Sequence, residues 1–123
     1  MVVTDRVKEI FDDARAQHHA ALERLTAGDI RDAAEKAWCA TKRATDALIL
    51  ARTGEDPSTT VLTSDRLDAL ARQDNRAKSL VGRFYSRLSQ LHDSCFCVGV
   101  CNPETERRIR ETADYIRDAE QLA

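Results

Sequence analysis

Four arginines in the middle of the chain are candidates for a phosphate-binding surface: Arg72, Arg76, Arg83 and Arg87. If residues 64–92 form one helix, these side chains fall within about 60° of its circumference, beside the apolar seam. Guanidinium groups bind phosphate through paired hydrogen bonds, so the stripe predicts contact with RNA or a nucleotide, with Tyr85 as a further candidate contact. The alternative is a solvated face whose arginines pair with neighbouring carboxylates.

One histidine and three cysteines lie within ten residues after the arginines: His92, Cys95, Cys97 and Cys101. Four nitrogen and sulfur ligands suit zinc, which makes a structural zinc site one hypothesis. Zinc sites usually join cysteine pairs from two separate segments, whereas these side chains come from one short turn. We therefore favour cysteines that pack as small hydrophobic residues, and we expect reduced thiols rather than disulfides.

The two remaining histidines, His18 and His19, belong to no recognisable motif. His18 lies on the apolar face of a predicted helix, which favours a core histidine with satisfied hydrogen bonds. His19 lies on the flank of that helix, where Asp12, Asp13 or Glu23 could pair with it.

The composition favours a small α-helical protein. The chain has 123 residues, of which 42% are hydrophobic and 33% charged, so it is too apolar for disorder and too charged to span a membrane. Only 4 glycines, 2 prolines and 5% aromatic residues favour a helix bundle over a β-sandwich, and the length predicts one domain over residues 1–123. The near-neutral net charge of −2 excludes a broadly basic surface for duplex DNA. Because the chain begins with no signal-peptide pattern, we expect a cytoplasmic protein without a membrane partner.

Apolar periodicity and capping residues predict an antiparallel four-helix up-down bundle. The spacing predicts helices over residues 4–26, 30–52 and 64–92, and a last helix from residue 103. Gly28 and Asp29 predict a tight turn between the first two helices, and Gly54 predicts the end of the second. Residues 55–63 are expected to form a loop, and a break at Asp74 would give a fifth helix. Asn102 and Pro103 should begin the last helix, whose Ile109, Ala113 and Ile116 would face inward.

Three segments give the chain a resemblance to the HEPN superfamily of small helical bundles, especially its minimal single-domain prokaryotic members. They are GDIRDAAEKAWCATKRATDALILARTG, RLSQLHDSCF and PETERRIRETADYI. The diagnostic element of that superfamily is an arginine followed, after four to six residues, by a histidine. Arg87 and His92 fit this pattern here, at the end of the third predicted helix.

The resemblance implies metal-independent endoribonuclease activity, without a cofactor, in a homodimer that joins two such motifs. His92 would take the proton from the RNA 2′-hydroxyl or donate a proton to the leaving oxygen. Arg87 would stabilise the charge that develops on the phosphate. Superfamily members that lack catalysis bind RNA or nucleotides, or act as partners of small nucleotidyltransferases. Active members often carry a polar residue where this chain has Leu88. Residues five apart on an ideal helix diverge by about 140°, so the motif needs a bend or a second subunit.

Overall fold

The structure, a computed structural model, describes residues 3–123 and confirms an all-α helical bundle. Its α-helices are α1 (Val3–Thr26), α2 (Ile30–Thr53), α3 (Thr60–Gln73), α4 (Lys78–Arg87), α5 (Pro103–Arg110) and α6 (Thr112–Leu122). A 3₁₀ turn (Asn75–Ala77) precedes α4, and a π-helix (Leu88–Val98) follows it. None of the helices within residues 3–123 combines the length and apolar character that crossing a membrane requires.

The turn between α1 and α2 forms as predicted. Gly28 has a φ of 85°, a conformation that glycine adopts without steric cost. The side chain of Asp29 accepts a hydrogen bond from the backbone N–H of Asp32 and caps α2. Gly54 ends α2 with a φ of 81°.

Helix α2 forms the centre of the bundle and contacts every other α-helix and the π-helix. Its inward face is made of fully buried small residues: Ala33, Ala34, Ala37, Ala40, Ala44 and Ala47. Small side chains let neighbouring backbones approach closely. Trp38 provides the bulk that these alanines lack, with its ring 5.2 Å from that of Phe84 in an edge-to-face contact.

The third predicted helix is two α-helices, and it begins earlier than expected. Thr59 caps α3, ahead of the predicted start at residue 64, because its hydroxyl accepts a hydrogen bond from the backbone N–H of Leu62. The expected break at Asp74 is confirmed, since its carboxylate accepts the backbone N–H of Arg76 at 3.0 Å. The arginine stripe therefore does not form, because it required one continuous helix.

The C-terminal third departs from the prediction in two places. Residues 93–98, expected to form a turn, continue as a π-helix that ends at Gly99, where φ is 81°. Asn102 and Pro103 begin a helix as predicted, but that helix breaks at Glu111. The break leaves Ala113 exposed instead of facing inward.

Two cysteines are bonded to each other, contrary to the expectation of reduced thiols. Cys95 and Cys101 form a disulfide, while Cys39 and Cys97 are free. The turn after the π-helix brings Cys101 back beside Cys95, with the two Cα atoms 4.4 Å apart. This bond removes two of the four candidate zinc ligands.

We expect the free energy of unfolding to fall as the pH falls from about 7 to about 5, because of His18. Nε2 of His18 is buried without a hydrogen-bond partner. The prediction that the hydrogen bonds of His18 are satisfied is therefore wrong for this atom. Burial lowers the pKa of His18, and the charges of Arg87 and His19 lower it further, against opposing backbone contacts. The unfolded chain therefore binds the proton at a higher pH than the folded chain does.

Urea unfolding at the two pH values measures this effect. His18→Gln should reduce the loss of stability, whereas His19→Gln should leave it nearly unchanged. His19 is a suitable control because it is exposed and pairs with Glu23 at 3.0 Å, as predicted. An equal loss of stability in wild type and His18→Gln would contradict the assignment.

Candidate functional site

A pocket rich in arginine lies where α4 meets α5 and the start of α6. It encloses about 270 Å³ and is lined by Gly82, Arg83, Ser86, Arg87, Arg107, Arg108, Glu111 and Asp114. We call it the arginine pocket. Four guanidinium groups face two carboxylates here, which leaves two positive charges in excess.

Arg87 is the most deeply buried of these arginines, with 5% of its surface exposed. Its Nη1 donates to the Thr112 hydroxyl at 2.7 Å, and its guanidinium lies 5.8 Å from the centre of the Tyr115 ring. Burial lowers the pKa of Arg87 to about 10, which is still far enough above neutral pH to keep the charge. No carboxylate among residues 3–123 forms an ion pair with it, so a buried positive charge lacks a full counter-charge.

Arg108 is the second arginine of the pocket that forms no ion pair with the described residues 3–123. Its Nη1 is buried and has no hydrogen-bond partner. Arg83 and Arg107, in contrast, are both engaged: Arg83 pairs with Asp118 at 2.8 Å, and Arg107 pairs with Glu104 and with Glu111.

This arrangement can bind an anion. A buried guanidinium without a partner costs free energy that a phosphate oxygen would recover through charge-assisted hydrogen bonds. The pocket is a little smaller than typical small-molecule sites, which suits a phosphate group and part of its sugar. Its Arg87 and Arg108 are the groups that such a ligand would contact.

The other predicted RNA-binding residues lie on different surfaces. Arg72 is exposed beside a separate, shallower cleft, and Arg76 pairs with Asp74 at 2.9 Å. The hydroxyl of Tyr85 donates to the carboxylate of Asp68 at 2.8 Å. Of the six site residues predicted around the arginines and the histidine, only Arg83 and Arg87 share the arginine pocket.

His92 lies on the π-helix, where it faces α2. Its Nδ1 is 2.8 Å from the carboxylate of Glu35, which can only accept a hydrogen bond while it is ionised. Nδ1 is therefore the donor to Glu35, and in the neutral imidazole Nε2 presents a lone pair toward the Sγ atom of Cys97, 3.8 Å away. The imidazole is held between the rings of Trp38 and Phe96 and is about one-third exposed.

Within one chain, the side chains of Arg87 and His92 form hydrogen bonds to different helices. Arg87 contacts Thr112 and the ring of Tyr115, whose hydroxyl bonds to Thr45 at 2.7 Å. His92 contacts Glu35. Glu35 and Thr45 are ten positions apart on α2, which is about 15 Å along the helix. The chain changes from α-helix to π-helix between them, but the two side chains point to different neighbours.

Sequence reasoning missed two residues that matter here, Arg108 and Glu35. The predicted arginine surface covered only residues 72–87, although α5 holds three arginines of its own, Arg107, Arg108 and Arg110. Glu35 is one of several charged residues on α2, and only the tertiary fold places it beside His92.

The fold and the pocket thus define the class of protein: a compact helical bundle with a pocket in which Arg87 and Arg108 form no ion pair. The chain belongs to the archaeal PaREP1/PaREP8 family, whose profile matches residues 9–116. This match includes α2, the π-helix and the whole arginine pocket. No curated protein and no solved structure matches the chain.

Proposed function

We propose that this protein is a HEPN-like RNA-binding protein that holds a phosphate group of RNA or a nucleotide in the arginine pocket. The observation that carries the proposal is that two arginines of the pocket lack carboxylate partners: Arg87, which is buried, and Arg108, whose Nη1 atom is buried without a hydrogen-bond partner. Structural arginines are normally paired when they are buried. A pocket whose arginines lack carboxylate partners has the positive charge that binding of a phosphate group requires.

RNA contact through this pocket should be local and salt-dependent. Neutralising two phosphates on a single strand gives a slope of about −1.4 for log K against log salt concentration. Affinity should then fall about sevenfold between 50 and 200 mM salt. A mainly apolar protein partner would respond much less.

We expect Arg108→Gln to weaken binding of single-stranded RNA by about 10- to 100-fold, since a hydrogen bond to a charged group contributes about 1.5–3 kcal/mol. The salt slope should also become shallower by about 0.7. Fluorescence anisotropy across a salt series measures both quantities.

Arg110→Gln is the matched control for this experiment. Arg110 lies two residues further along α5, is 60% exposed at its side chain, and pairs with Glu106. Its loss should leave the affinity within about twofold, as is usual for an exposed ion pair. Equal effects of the two variants would mean that RNA, if bound, contacts the general surface rather than the pocket.

Metal-independent RNA cleavage is a second candidate, favoured by the Glu35–His92 contact. A carboxylate that fixes the proton on Nδ1 leaves Nε2 ready to act as a general base. Because Arg87 and His92 contact different elements, cleavage would require the second subunit of the predicted homodimer. Cleavage in the presence of a chelator, abolished by His92→Ala, supports this candidate; cleavage unchanged by His92→Ala removes His92 from the mechanism. The homodimer and a nucleotidyltransferase-type partner stay predictions.

A further inference from the structure

A histidine, an aspartate and a cysteine converge on the outer side of the π-helix. The Nε2 atom of His92, a carboxylate oxygen of Asp93 and the Sγ atom of Cys97 all lie within 4.8 Å of one another. Sγ of Cys97 is 3.8 Å from Nε2, and Oδ1 of Asp93 is 4.0 Å from it. At zinc bond lengths of about 2.0–2.3 Å, ligands at tetrahedral corners stand about 3.3–3.8 Å apart. We propose that His92, Asp93 and Cys97 bind a zinc ion.

The π-helix is what brings these ligands together. Its hydrogen bonds connect residues five apart, so His92 and Cys97 lie one above the other on the same side. On an α-helix the same two residues would diverge by about 140°. Arg31 holds the end of the π-helix, since its guanidinium donates to the carbonyl oxygen of Phe96 at 2.7 Å.

Glu35 supplies the second interaction typical of a zinc histidine. Histidines that bind zinc commonly donate their other ring N–H to a carboxylate, which fixes the ring and raises its basicity. Glu35 accepts from Nδ1 of His92 at 2.8 Å, and this leaves Nε2 as the metal-binding atom. Glu35 is therefore a positioning residue rather than a ligand.

The donor set favours zinc over magnesium or calcium. A thiolate sulfur and an imidazole nitrogen are poor ligands for those oxygen-preferring cations. On binding, the Cys97 thiol loses its proton to solvent, and the thiolate and the Asp93 carboxylate balance the two positive charges of the ion. Asp93 and Cys97 are exposed, so water can occupy a fourth position. A zinc ion here would use the Nε2 lone pair that a general base needs.

Zinc titration of the untagged full-length protein, without reductant so that the Cys95–Cys101 disulfide is kept, tests the proposal. We expect one zinc per chain by calorimetry. Cobalt(II) in its place should give a thiolate charge-transfer absorption band, which reports Cys97 directly in the wild-type protein.

Three variants locate the ion. Cys97→Ser and His92→Gln should each weaken zinc binding about 100-fold or more, and Glu35→Gln about 10- to 100-fold. His19→Gln is the matched imidazole control, and it should bind zinc like wild type. Circular dichroism confirms that each variant is folded.

Three results would overturn the proposal. They are the absence of stoichiometric zinc binding, a cobalt spectrum without a thiolate band, and zinc binding that appears only after the disulfide is reduced. The last result would instead favour the ligand set His92, Cys95, Cys97 and Cys101. None of these outcomes bears on the arginine pocket, so the proposed RNA binding stands or falls separately.

Discussion

Arg87→Met is expected to raise the stability of the protein while it weakens phosphate binding. The guanidinium of Arg87 is buried without an ion pair, and methionine has a similar length without the cost of desolvation. The Thr112 hydroxyl keeps its own bond to the carbonyl oxygen of Arg108, so no buried polar group loses its only partner. A methionine sulfur can also contact the ring of Tyr115. We expect a gain of about 1–2 kcal/mol in the free energy of unfolding.

Urea unfolding and RNA anisotropy on the same protein samples check both halves of this prediction. Affinity for single-stranded RNA should fall by at least about 10-fold. Arg110→Met, which removes an exposed arginine, should change stability by less than about 0.5 kcal/mol and should retain RNA binding. A less stable Arg87→Met protein would identify Arg87 as a structural residue rather than as a group held for a ligand.

Trp38→Ala should cost about 3–5 kcal/mol of stability, a large part of the total for a domain of this size. The indole is 4% exposed and packs against the ring of Phe84, and it also lies beside the imidazole of His92. The alanines of α2 cannot fill the resulting cavity. The variant should therefore loosen the contacts of both α4 and the π-helix with α2.

Urea unfolding followed by circular dichroism measures this loss. Tryptophan fluorescence cannot be used, because the variant lacks the chain's single tryptophan. Phe96→Ala is the control, because Phe96 stacks on the other side of His92 but is 36% exposed. Its cost should stay below about 1 kcal/mol. Similar losses in the two variants would show that the tryptophan does not form the centre of the core.

The first half of the fold could be predicted from sequence because its signals are local. Gly28, Asp29 and Gly54 each act on the backbone next to them, so the ends of α2 follow from residue type alone. The π-helix could not be predicted in this way, since five-residue hydrogen bonding has no simple sequence pattern. The disulfide depends on the turn after the π-helix, so the disulfide could not be predicted either.

The candidate site was only partly predictable for a similar reason. A helical wheel correctly placed Arg83 and Arg87 near each other on one helix, but it put Arg87 at the edge of the apolar seam. In the structure Arg87 is buried, because α5 and the start of α6 cover it and bring Arg108 to the same pocket. Which helix covers a given face is a tertiary property. The Glu35–His92 pair, whose members are 57 positions apart in the sequence, is tertiary too.

Titration with inorganic phosphate, followed by NMR of the arginine side-chain Nε–H groups, tests the phosphate-receptor account most directly. We predict saturable shifts in the resonances of Arg87 and Arg108, with little change for exposed, paired arginines such as Arg110. The same shifts should appear with a short single-stranded RNA. Resonances of Arg87 and Arg108 that do not respond to either ligand would contradict the account.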